Sequence, residues 1–303
     1  MTGRRSLRLP PALLRRGAGQ LNRLALNPAL PFDVQRRRLD RLLGAAPVPK
    51  GTVMKRTVLG GVAAEVVTAG GPDADRTVVH FHGGGYCVGT ARMGRTWAAH
   101  LAASTGCRVV LPEYRLAPEH PHPAALDDAG AVLGAVLAQA SAGVVVSGDS
   151  AGAGLALSLA ASLRDRGEPL PAGCILISPW LDLSADRRAV PELVRRDVLL
   201  TPRWLEACAA AYCGPVPLTD PDVSPLLGAN YGLPPLLIQA GCDDVLLPDA
   251  DALAASAAAA GTDVTYSRWP RMWHDFALQP GLITAADSAL AQAAWFVRRV
   301  TGG

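Results

Sequence analysis

The stretch Gly148-Asp149-Ser150-Ala151-Gly152 limits the fold of this chain more than any other. Before it stands an apolar run, Ala142-Gly143-Val144-Val145-Val146; after it, from Gly152 to about Leu163, comes an Ala- and Leu-rich stretch without proline. The first composition suits a strand covered on both faces and the second a helix. A serine on so sharp a strand-to-helix turn has its hydroxyl held clear of the backbone, and the small residues beside it let the chain turn tightly. Gly-x-Ser-x-Gly alone is a weak pattern. Between a strand and a helix it marks a candidate nucleophile, Ser150.

A carbonyl attacked by serine develops negative charge and needs hydrogen-bond donors. Upstream, the strand signal Thr77-Val78-Val79-His80-Phe81 runs into His82-Gly83-Gly84-Gly85-Tyr86. Three successive glycines leave backbone N–H groups uncovered by side chains, and such a loop after a third strand is the expected partner of a serine turn after a fifth. The expected donors are the N–H groups of Gly84, Gly85 and Ala151. Behind a serine so placed, an acid and then a histidine follow in chain order. Of the six histidines only His274 follows Ser150. It lies in Trp269-Pro270-Arg271-Met272-Trp273-His274-Asp275-Phe276, after the strand-like Thr262–Ser267. For the acid, the buried-strand signal Pro235–Ala240 ends in Gly241-Cys242-Asp243-Asp244. Asp243 and Asp244 compete, with Asp244 favoured. Asp249 and Asp251 fall in the first turn of the next helix, where a carboxylate suits the dipole.

Four blocks together resemble the hormone-sensitive-lipase family of bacterial carboxylesterases, on the α/β-hydrolase fold. They are His82-Gly83-Gly84-Gly85, the run Tyr114-Arg115-Leu116-Ala117-Pro118-Glu119-His120-Pro121-His122-Pro123-Ala124-Ala125, Gly148 to Gly152, and Asp244 with His274. The likeness spans about residue 50 to the C-terminus. It implies a catalytic trio of Ser150, Asp244 and His274, with oxyanion donors at Gly84, Gly85 and Ala151. His82, Gly83 and Asp149 support the motif, and no metal or organic cofactor takes part. It also implies an acid within Asp-x-Leu, which Asp244-Val245-Leu246 matches, although the common motif carries Pro where this chain has Val245. The activity implied is hydrolysis of short- to medium-chain acyl esters through an acyl-enzyme. A non-catalytic small-molecule receptor on the same fold is the alternative, and His274, which such receptors lack, weighs against it. A narrow lactone or acetyl-ester substrate is a second alternative.

The 303 residues, half of them apolar, suffice for one sizeable core with a cap. Strand and helix signals alternate from residue 77 onward. The expected fold class is therefore α/β, a mostly parallel eight-stranded sheet flanked by helices. The expected organisation is an N-terminal cap segment at 1–50 and a catalytic domain at 51–303, with a cap insertion at about 183–215. Within the cap, Asp33 is the expected N-cap of a helix to about Leu43, and Thr201 caps another with Pro202 at its first position. Tyr86, Trp180, Trp204 and Trp273 are the candidate pocket aromatics. An apolar pocket suits a neutral ester, at ~0.8 kcal/mol per buried CH₂.

Residues 1–50 carry a net charge of +9 against −6 for the rest. Only Phe32 interleaves the arginines, so a nucleic-acid partner is not expected. Arg4-Arg5 invites an export reading, but Leu9 to Leu14 is too short an apolar stretch before Arg15-Arg16. The chain is expected to be cytoplasmic and not inserted in a membrane. The six cysteines lack paired spacing and are expected to be buried thiols, not metal ligands. Pairing of two copies through the last strand, near Val264 to Tyr266, is left open.

Overall fold

The computed structural model describes residues 10–42, 47–69 and 76–302. Arg4-Arg5 and the expected end of the first cap helix at Leu43 lie outside the described residues.

A hairpin opens the sheet, β1 (Thr52–Leu59) and β2 (Val62–Ala69), turning on Gly60-Gly61. Then come β3 (Thr77–Phe81), β4 (Arg108–Pro112), β5 (Val144–Asp149), β6 (Gly173–Ile177), β7 (Leu236–Gly241) and β8 (Val264–Trp269). They form one eight-stranded sheet in the order β1-β2-β4-β3-β5-β6-β7-β8. The pairs β1–β2 and β2–β4 are antiparallel, and all pairs from β4 to β8 are parallel. β8 is the edge strand at the far side.

The central strands are apolar at every other residue on both faces, so helices must cover both. Val79, Phe81, Val110, Val144, Val146, Leu176 and Ile238 face one core layer; Val78, Val109, Val145, Ile175 and Leu237 face the other. α4 (Ala124–Leu137), α5 (Ala151–Asp165) and α8 (Leu247–Ala259) close the first layer; α3 (Arg95–Thr105) and α9 (Thr284–Val300) close the second. α5 buries eleven of its fifteen residues, which explains a composition almost free of charge.

α1 (Pro11–Leu24) and α2 (Phe32–Leu42) precede the sheet, and α6 (Pro191–Arg196) and α7 (Pro202–Cys213) lie between β6 and β7. Thr201 caps α7, its Oγ1 accepting from Trp204 N–H at 3.3 Å, and Pro202 takes the first helical position. Asp33 is not an N-cap. α2 already begins at Phe32, and Asp33 pairs with Arg37 one turn on at 2.8 Å. Among the described residues no helix is long and apolar enough to cross a membrane.

Candidate active site

β5 runs three residues further than its apolar run, to Asp149, because Ser147, Gly148 and Asp149 still pair with β6. Their polar atoms sit in a buried cluster with His80 and Gly83. Ser147 Oγ lies 3.0 Å from His80 Nδ1, and His80 Nε2 lies 3.1 Å from Asp149 Oδ1. Asp149 Oδ2 accepts from Gly83 N–H at 2.9 Å. The residue before the serine thus ties the glycine loop to the turn. His80 stacks on Trp97, ring centroids 4.5 Å apart.

Ser150 follows with φ 53° and ψ −119°, a conformation that costs a non-glycine residue of order 1–3 kcal/mol. The turn closes so tightly that a Cβ at Gly152 would run into the Phe81 carbonyl oxygen. Ser150 O accepts from the N–H groups of Ala153, Gly154 and Trp180 at 3.1–3.2 Å, and Ser150 N–H donates to Ile177 O at 2.8 Å. The backbone is held from both sides while the hydroxyl caps nothing, although α5 starts at the next residue.

The glycine loop lies against this turn. Gly84 has φ 117°, open to glycine, and a Cβ there would strike the Val88 carbonyl. Gly84 O instead accepts from Cys87 and Val88 N–H at 3.1 and 2.9 Å. Among the described residues, the N–H groups of Gly84, Gly85 and Ala151 have no acceptor outside the regular helices and strands. His82 sits beneath the loop, its Nδ1 2.7 Å from Gly83 O and its ring stacked on Tyr114. Tyr114 O–H donates to His82 O at 2.6 Å. Burial lowers the pKa of His82 to about 4, so it stands neutral.

Asp243 and Asp244 part company. Asp243 accepts from Arg15 of α1 at 2.6 Å. Asp244 is fully buried after β7, and its Oδ2 lies 2.9 Å from His274 Nδ1 in the loop after β8. Asp244 Oδ1 accepts from Leu246 N–H at 2.8 Å. A further carboxylate that the sequence did not single out stands behind it. Asp197, between α6 and α7, accepts from Leu199, Leu200 and Val245 N–H at 2.8–2.9 Å. Burial and the charge of Asp244 push Asp197 up to about 6. Burial lowers the basicity of His274, but Asp244 and Asp275 outweigh it, and its pKa is raised well above the usual value.

A cavity of about 420 Å³ opens beside His274, walled by α1, Leu42, Met93, Leu199, Trp273 and Leu278. Of the four candidate aromatics, Trp273 lines it. Tyr86 stacks on Tyr212 at 3.7 Å and lies tilted against Trp180, all buried. Trp204 backs the glycine loop and donates from Nε1 to Gln35 of α2 at 2.9 Å. Asp249 is in the first turn of α8, as its place in the sequence suggests, yet it also anchors the segment after β6. It accepts from Leu181 and Asp182 N–H and pairs with the buried Arg187 at 2.6 Å. All six cysteines are free, and only Cys242 is partly exposed. Among the described residues no group of three His, Cys, Asp or Glu side chains could hold a metal ion.

Residues 78–278 match the family model of the α/β-hydrolase fold. The chain is 38% identical to an acetyl-hydrolase of Streptomyces hygroscopicus over 88% of each protein. It is 34% identical to an esterase of Acinetobacter venetianus, over 85% of this chain and 86% of that one. A solved esterase of the bacterial hormone-sensitive lipase family superimposes with a TM-score of 0.87 at 33% identity, covering 99% of both chains.

Proposed function

We propose a serine mechanism for this chain, which belongs to the α/β-hydrolase fold family and is a carboxylic ester hydrolase of the bacterial hormone-sensitive-lipase group. Ser150 Oγ attacks the ester carbonyl while His274 Nε2 takes its proton. The carbonyl oxygen becomes an oxyanion and accepts from the N–H groups of Gly84, Gly85 and Ala151. The C–O bond then breaks, His274 returns the proton to the leaving alcohol, and the acyl group stays on Ser150. Water, deprotonated by the same histidine, attacks the acyl-enzyme; the acid leaves and the serine is restored. Asp244 holds the proton on Nδ1, so that Nε2 is the base, and stabilises the imidazolium. His82, Gly83 and Asp149 position the loop. No metal or organic cofactor enters any step.

The observation that carries this mechanism is the buried Asp244–His274 hydrogen bond, on loops tied through Ser178 and Ile177 to a strained serine whose hydroxyl caps nothing. In the scheme, residues 1–50 and the insertion at about 183–215 cap the 51–303 catalytic domain. The mostly apolar cavity beside His274 takes the organic part of a short- to medium-chain acyl ester. Each buried methylene contributes ~0.8 kcal/mol, so the fit favours chains that fill it without overrunning it. The relative named an acetyl-hydrolase supports the short end of that range.

The test is hydrolysis of p-nitrophenyl esters from acetate to palmitate by the wild type and Ser150→Ala. Turnover is expected to peak at short chains and to fall to background in the variant. Near-wild-type turnover in folded Ser150→Ala would remove Ser150 from the mechanism.

A further inference from the structure

His274 meets a carboxylate at each ring nitrogen. Nδ1 bonds Asp244, while Nε2, the atom that the serine mechanism uses as base, lies 3.2 Å from Asp275 Oδ2. Asp275 is set there by its backbone. Its φ is 57°, and its N–H donates to Ser178 Oγ at 3.1 Å, Ser178 being itself at φ 45°. Its side chain is 15% exposed and lines the cavity beside His274. Its other oxygen, Oδ1, is buried and has no partner among the described residues.

The charges around this pair are mostly of one sign. Asp244 comes from the loop after β7, Asp197 from the segment between α6 and α7, and Asp149 from the end of β5. Arg15 of α1 reaches the same region but is bound to Asp243. Such a setting favours the charged form of an imidazole.

We propose that Asp275 is a second positioning carboxylate for His274, acting at Nε2, which holds the ring charged in the resting site and sets the pH above which the base can work. The proposal rests on the serine mechanism above. Asp275 makes and breaks no covalent bond; the proton that leaves Nε2 as pH rises goes to water. Burial pushes Asp275 up to about 7 against the pull of His274, and Asp244 and Asp275 raise His274, so the two titrate as a coupled pair. The sign follows from chemistry. A general base works when neutral, so activity appears only as pH rises through the raised histidine value. The same carboxylate stabilises the imidazolium formed when Ser150 is deprotonated, making the base stronger once it is free.

The experiment is the pH dependence of kcat/KM for p-nitrophenyl acetate from about pH 5 to about pH 9.5. It is run on the wild type, Asp275→Asn and Asp275→Ala, each checked for folding by near-UV circular dichroism. The wild-type acid limb should have its midpoint above the ordinary histidine value of ~6.5. Both variants should move that midpoint down by about one unit or more, the usual effect of removing an adjacent opposite charge. Should neither fold, Ser178→Ala, which releases the Asp275 backbone, should move it the same way. A midpoint unmoved in a folded variant overturns the proposal and leaves the serine mechanism standing. No turnover by the wild type at any pH overturns the serine mechanism and this proposal with it.

Discussion

Single residues set this site by what they exclude. Gly152 has no side chain because the Phe81 carbonyl occupies the place of a Cβ, and Ser150 accepts a strained φ because its backbone is bonded on both sides. In the proposed mechanism Asp244 acts through its hydrogen bond to His274. With Asp244→Asn the carboxylate charge is lost and the amide can hold the wrong tautomer of His274. The expected cost is about 10⁴-fold in kcat with little change in KM, measured by steady-state kinetics on p-nitrophenyl acetate. A loss below about tenfold would mean that another group orients the ring. Ser150, His274 and the glycine loop were legible in the sequence because their chemistry admits few residue types and their order is fixed. His80, Asp197 and Asp275 were not. The first two meet a neighbour brought close by the fold: His80 meets Asp149 across two strands, and Asp197 meets the loop after β7 from a segment 48 positions away. Asp275 is adjacent to His274 in sequence, but only its backbone conformation turns its carboxylate toward Nε2. The polar Ser147 and His80 at the ends of otherwise apolar strands were the one trace of that network.

Among elements, the parallel strands were readable from their continuous apolar runs, since a sheet covered on both faces leaves no polar side. Their ends were less so. β5 looked finished at Val146, but the buried network lets three more residues pair. Asp33 looked like a cap because its residue type suits one; the helix instead starts a residue earlier and uses Asp33 for an i,i+4 pair. The attachment of the segment after β6 was hidden for another reason. Arg187 and Asp249 are far apart in sequence and both nearly fully buried, 5% and 2% exposed. Two short contacts, 2.6 and 2.9 Å, join them, and Asp249 also receives the N–H groups of Leu181 and Asp182. Removing one partner of such a pair strands a buried charge. Arg187→Ala should therefore lower the unfolding free energy by about 3–5 kcal/mol, read from urea denaturation. A change below about 1 kcal/mol, in the range of exposed pairs, would show that the pair is solvated in solution.

On the scale of the whole molecule, the sheet brings the ends of β3, β5 and β7 and the loop after β8 to one edge, and the segments outside the sheet meet over it. Arg15 of α1 joins Asp243, and Trp204 of α7 joins Gln35 of α2. The proposed trio of Ser150, Asp244 and His274 thus comes from three separate loops, the first and last 124 positions apart, while the walls come from elements whose composition marks them only as amphipathic helices. The fold was legible because its periodicity is local; the lining of the cavity was not, because it depends on how those helices dock. In the proposed mechanism these parts serve a single acylated serine. The most direct measurement is the intact mass of the chain after reaction with diethyl p-nitrophenyl phosphate, followed by peptide mapping. One diethylphosphoryl group per chain, on Ser150 and absent from Ser150→Ala, is the predicted result. An unmodified Ser150 in a chain that still turns over esters, or an equal label in the variant, would contradict the account.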